Sequence, residues 1–178
     1  MAERSVTFLW SMRFVYLGLC GLVIFLHLLP LEPVTRFWAA PDLMIALTFA
    51  WVLRRPEYAP LMFIAGIFLL ADFLFHRPPG LWAALVLIGS QTLRAKALDL
   101  RDLTFLMEWL SVASTLIAIV LGYRIILTLL VIDTPPLSLS LIQLLTTLVA
   151  YPLVVLASQT IFRVRKIAPG EVDAMRST

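Results

Sequence analysis

The chain has 178 residues, of which 61% are hydrophobic and only 14% are Asp, Glu, Lys or Arg. Soluble domains run at roughly 45–50% and about 25%. This composition excludes a soluble globule, which would lack polar side chains to cover itself, and a disordered chain, which holds few Leu, Ile, Phe and Val. Cys20 stands alone, which excludes a disulfide scaffold. An all-α polytopic membrane protein remains. At about 20 residues per span, the length suits six spans, short loops and no sizeable domain outside the bilayer.

The first span is expected over 8–29, ending at Leu29-Pro30. Arg4 and Arg13 precede its apolar run as in a signal peptide. The run is long for that, however, and no A-x-A site follows, so it is taken as uncleaved. Glu32, Pro33 and Arg36 mark a loop. The second span, 38–53, has a core of only Leu43–Leu53, about 17 Å of helix. It crosses only if Phe37–Asp42 is partly immersed or the bilayer thins. Arg54-Arg55-Pro56-Glu57-Tyr58-Ala59-Pro60 closes it. Spans three and four, 61–75 and 81–93, flank the turn His76-Arg77-Pro78-Pro79-Gly80. The fifth, 104–130, is apolar apart from Glu108 and Arg124. It is too long for one perpendicular crossing, so the part after Arg124 is expected to tilt or to lie along the outer surface. The sixth, 137–162, contains Pro152, whose missing amide frees the Leu148 carbonyl and predicts a kink. Residues 1–166 form one domain and 167–178 a cytoplasmic tail.

Charge sets the orientation. With the N-terminus inside, eleven basic residues fall on the inner side: Arg4, Arg13, Arg54, Arg55, Arg94, Lys96, Arg101, Arg163, Arg165, Lys166 and Arg176. The outer loops hold Arg36 and Arg77, and Arg124 lies within a span. The positive-inside rule then predicts both termini in the cytoplasm. The pI of about 9.4 reflects this topogenic charge and attraction to anionic lipid. No nucleic-acid motif accompanies it, so nucleic acid is not an expected partner.

Chemistry-bearing patterns are scarce. His27 and His76 stand apart from any metal-ligand spacing, and no glycine-rich phosphate loop is present. Neither a metal nor a cofactor is expected. Cys20 sits in apolar sequence, as an inert thiol does. Asp42 and Asp72 resemble an intramembrane catalytic pair only superficially, because both lie toward the outer ends of their spans. Arg124 matches their depth. An Asp72–Arg124 or Asp42–Arg124 pair is therefore expected, either as a structural lock or as a substrate or partner site. Glu108 lies near the inner end of span five, by Asp102 and Arg101.

Small residues mark packing faces. Ser114, Ala118 and Gly122 follow one another at four-residue spacing in span five, as do Ala46 and Ala50 in span two. Such faces let helices approach closely. Span six carries a polar stripe of Ser140, Gln143, Thr147, Tyr151 and Ser158. It is expected to face protein or a polar cavity.

Several pieces of the chain, in order, resemble the MreD family of rod shape-determining proteins. They are Pro41-Asp42-Leu43, then Trp51-Val52-Leu53-Arg54-Arg55-Pro56-Glu57-Tyr58, then Ala71-Asp72-Phe73 and Arg77-Pro78-Pro79-Gly80-Leu81-Trp82-Ala83-Ala84-Leu85. Glu108-Trp109-Leu110, Ala150-Tyr151-Pro152 and Ala168-Pro169-Gly170-Glu171-Val172-Asp173 complete the set. The last is most similar to alphaproteobacterial members. The resemblance implies a non-enzymatic component of the elongasome in the bacterial inner membrane. It implies association with MreC and, directly or through it, with RodA and its penicillin-binding transpeptidase, and indirectly with MreB. It also implies a fold similar to the substrate-binding subunits of energy-coupling-factor vitamin transporters. A solute-binding subunit of that kind is the alternative function. Such carriers present small residues at four-residue spacing on span one, whereas Gly18, Cys20 and Gly21 are here followed by Leu22, Ile24 and Phe25.

Overall fold

The computed structural model describes residues 2–29, 39–97, 104–132, 134 and 136–162, with the backbone alone at 2–5. Six helices follow in order: α1 (Ala2–Leu28), α2 (Leu43–Arg54), α3 (Leu61–Leu74), α4 (Leu81–Lys96), α5 (Phe105–Leu129) and α6 (Leu137–Thr160). Each lies on one expected span. The expected loop at 30–38, Arg101 and Asp102, and the expected tail at 167–178 lie outside the described residues.

The punctuation is local chemistry. α2 starts where the Asp42 side chain accepts the Ile45 amide at 3.1 Å, capping an otherwise orphaned donor. It stops at Arg54, before Arg55-Pro56, where the residue preceding proline disfavours helix. α4 starts at Gly80, whose φ of +84° is free of strain only without a Cβ. α6 follows Pro136 directly.

Three helices are long and apolar enough to cross a membrane: Val6–Leu28 of α1, and α5 and α6 throughout. Their outward faces carry Phe14, Ile125, Val149 and Leu153, each at least 60% exposed. A water-facing surface would be polar there, and a lipid-facing one is not. The chain is a membrane protein by this measure.

The helix that looked too short turns out to be the centre. Every α2 residue from Met44 to Arg54 is buried, and α6, α4 and α1 pack around it. At 1.5 Å per residue its 12 residues make about 18 Å. α2 is sheathed by protein from Met44 to Arg54, and only Leu43 at its start is exposed. Trp51, Phe49, Ile45 and Val52 on α2 join Tyr16, Phe68, Val86 and Tyr151 in one core.

α5 remains one helix through Arg124 to Leu129, about 37 Å long, so the expected departure after Arg124 is not a break in the helix. Lys96 and Phe105, which bound the described ends of α4 and α5, lie with Arg54 at one end of the bundle. There Arg94 donates to the Pro56 and Ala59 carbonyls at 3.2 and 2.8 Å. Asp42, the His76–Gly80 turn, Arg124 and Ser140 gather at the other end. Consecutive helices thus alternate in direction.

Candidate functional site

Polar residues collect in two places. At the first, α2 ends in Arg54, α5 opens with Glu108 in its first turn, and α6 brings Tyr151 between them. Arg54 Nη2 donates to both Glu108 oxygens at 3.1 and 3.3 Å. The Tyr151 hydroxyl donates to Glu108 Oε1 at 3.0 Å. All three side chains are almost wholly buried. An unpaired charge inside a bilayer is costly, and here paired charge and hydrogen bonding tie α2, α5 and α6 together. Next to it, the Trp109 indole N–H donates to the Leu148 carbonyl at 3.0 Å. That is the carbonyl expected to be freed by Pro152, and a side chain from the neighbouring helix satisfies it. Trp51 Nε1 donates to Ser158 at 3.1 Å, joining α2 to α6 again.

The second place is a cavity of about 320 Å³ at the opposite end. Asp42 and Thr147 sit at one side, where the Asp42 backbone amide donates to Thr147 Oγ1 at 2.9 Å. α6 begins at Leu137, ten residues before that contact. About 15 Å of α6 therefore extends past the start of α2, and the cavity occupies the place α2 does not reach. Arg124 and Ser140 line a second wall and are bonded at 2.9 Å. Arg77, Trp82 and Tyr123 line a third. The Arg77 guanidinium lies 5.2 Å over the Trp82 ring, and Trp82 meets Tyr123 edge to face at 5.1 Å.

The aspartates are corrected by this geometry. Asp72 Oδ2 accepts the Gly80 and Ala83 amides at 3.0 and 3.1 Å. Gly80 has no side chain to cap α4, and Asp72 supplies the cap from α3. Arg124 bonds Ser140 instead. Among the described residues no hydrogen bond joins Asp72 to Arg124, and Asp72 Oδ1 has no hydrogen-bond partner. Asp42 and Arg124 do line the same cavity, and Asp72 does not. The two aspartates serve two different helix starts, and no shared site brings them together as a dyad.

The packing faces divide. Ala46 and Ala50 are fully buried, at 0% exposure. Ser114 and Ala118 point outward. Gly122 turns to α4, where a Cβ would sit 3.6 Å from Leu85. The tight approach of α4 to α5 is at Gly89, where an added Cβ would lie 2.7 Å from Ile119 Cδ1 and 3.0 Å from Thr115 Cγ2. The only sequence signal for Gly89 is a lone glycine beside Ser90 in an apolar helix. Arg54, expected only as inner-side charge, is buried. Arg54 and Glu108 lie at matching span ends, and that match was the available clue. The polar stripe splits as well: Ser140, Gln143 and Thr147 face the cavity, while Tyr151 and Ser158 bond within the core.

His27 and His76 are exposed, and His27 lies against Phe75 at 4.5 Å. Cys20 is buried and free. Among the described residues no three His, Cys, Asp or Glu side chains group as a metal site would. No family model, curated protein or solved structure matches the chain.

Proposed function

We propose that the chain is an MreD-type scaffold of the bacterial inner membrane. It crosses six times with both termini inside, docks the MreC transmembrane helix, and so helps link RodA, its transpeptidase and MreB. It is not an enzyme in this reading. The carrying observation is where the residues of the resemblance go. Arg54, Glu108, Trp109, Tyr151 and Pro152 converge on one buried lock between helices. The Pro56 and Glu57 carbonyls receive Arg94 and Arg13. These residues are spent on holding helices in register, as a scaffold requires, and not on a reactive cleft.

Charge and direction support the six crossings. Arg13, Arg54 and Arg94 gather at one end with the Pro56–Ala59 turn. Three of the helices qualify as spans by their own length and composition, and the shorter three pack among them. The outward Ser114–Ala118 face of α5 offers a low-relief surface for a further helix.

Co-expression with MreC and purification in mild detergent tests the reading. MreC is expected to co-purify with the wild type and to be lost from Ser114→Leu and Ala118→Leu while the fold persists. Absence of MreC from the wild-type preparation overturns the proposal. Depletion in a rod-shaped host is expected to round the cells.

The cavity favours a second reading, a solute-binding carrier subunit. Against it stands α1: Leu22 and Phe25, four residues after Gly18 and Gly21, are 51% and 58% exposed. Bulk occupies the face where a coupling subunit would need small residues.

A further inference from the structure

The cavity beyond the start of α2 carries a combination that packing alone does not require. Among the described residues, Arg77 and Arg124 line it together with the carboxylate of Asp42. Trp82 also lines it, is about nine-tenths buried, and has an indole N–H with no hydrogen-bond partner. That nitrogen is sealed from anything the size of water, so the ring rather than its N–H faces the hollow. The remaining lining includes Leu127, Ile132 and Leu144. At about 30 Å³ per liquid water, 320 Å³ is room for roughly ten waters. That lies at the small end of ligand pockets, roughly 300–1,000 Å³. The space suits a head group rather than a large solute.

We propose that this cavity binds a small zwitterionic head that joins a phosphate to a primary ammonium. The guanidinium groups of Arg124 and Arg77 take the phosphate, and the Asp42 carboxylate takes the ammonium. Guanidinium groups suit phosphate through their forked donors. The helix macrodipole makes the start of α2 partly positive, and Asp42 offsets it, leaving a negative partner for the ammonium close to a positive wall. Such a head comes from an ethanolamine phospholipid or from free phosphoethanolamine. Leu137 and Leu141 flank the Ser140 wall and are 62% and 53% exposed. In a bilayer they give acyl chains a surface to follow. This site goes beyond the scaffold reading and does not depend on it.

Native mass spectrometry of the delipidated full chain in detergent tests it. Phosphatidylethanolamine, phosphatidylglycerol and free O-phosphoethanolamine are the probes. The wild type is expected to retain phosphatidylethanolamine over phosphatidylglycerol. Arg124→Gln should weaken both lipids by at least about tenfold, the loss of one charge-assisted contact. Asp42→Asn keeps the α2 cap and should cut the preference for the ethanolamine head by about tenfold, with phosphatidylglycerol bound as before. That selective loss separates a charge-reading site from a folding defect. Binding of free phosphoethanolamine at comparable strength supports the site with a soluble source, and binding of the lipid alone supports a lipid source. A wild type that binds none of the three probes, or an Asp42→Asn variant with an unchanged lipid preference, overturns the proposal.

Discussion

The two ends of the bundle hold similar inventories and use them differently. One end has Arg54, Glu108 and Tyr151, and the other has Arg124, Asp42 and Tyr123. At the first, α2 reaches its partners, and the carboxylate accepts a guanidinium and a phenol directly. At the second, α2 stops short, and the same residue types stand around a hollow. In lipid, apolar surface gains little from leaving its solvent. Whether polar groups lock or line a cavity is therefore decided by how far each helix extends, not by how apolar it is.

Breaking the locked end should cost most. Glu108→Ala leaves Arg54 buried without its carboxylate, and about 3–5 kcal/mol of stability should go. A large fall in the detergent unfolding midpoint is the readout, and an unchanged midpoint would show that the lock contributes nothing. Gly89→Leu, between the ends, forces bulk into the Ile119–Thr115 contact and should cost about 1–3 kcal/mol. Gly89→Ala should cost less, because Ile119 Cδ1 is the tip of a flexible side chain. Trp109→Phe orphans the Leu148 carbonyl, for about 1–3 kcal/mol. Pro152→Ala restores an amide to that carbonyl. In the double variant the Trp109→Phe penalty should shrink, and a strictly additive double-mutant cycle would refute the pairing. At the hollow end, Gln143→Leu should stay within about 0.5 kcal/mol, since the side chain faces a cavity rather than a packed neighbour. A larger loss there would mean that the two ends are equally well packed.

The six helices were legible because apolar runs separated by Pro, Gly and Arg have few other readings. The freed Leu148 carbonyl was legible too, since Pro152 removes one particular donor. Its partner Trp109 was not. Hydropathy in a membrane chain does not separate the face against protein from the face against lipid. For that reason Ser114–Ala118 and Ala46–Ala50 look alike in sequence, yet the first points outward and the second is enclosed. The place of Asp72 was hidden for a related reason. Depth along a span can be counted from the chain, but azimuth around the bundle cannot. Asp72 shares a depth with Arg124 and reaches the α4 amides instead.

The enclosure of α2 also constrains how the protein is made. Twelve residues ending in an arginine are poorly suited to settle in a bilayer alone. Glu108 follows Arg54 by 54 residues in the chain, and Tyr151 comes 43 after that. Until the ribosome has delivered both, the centre of the molecule has no walls. In the proposed six-span topology, α2 is therefore held at the translocon or at the membrane edge while four later helices emerge. Assembly ends when α5 and α6 close over it.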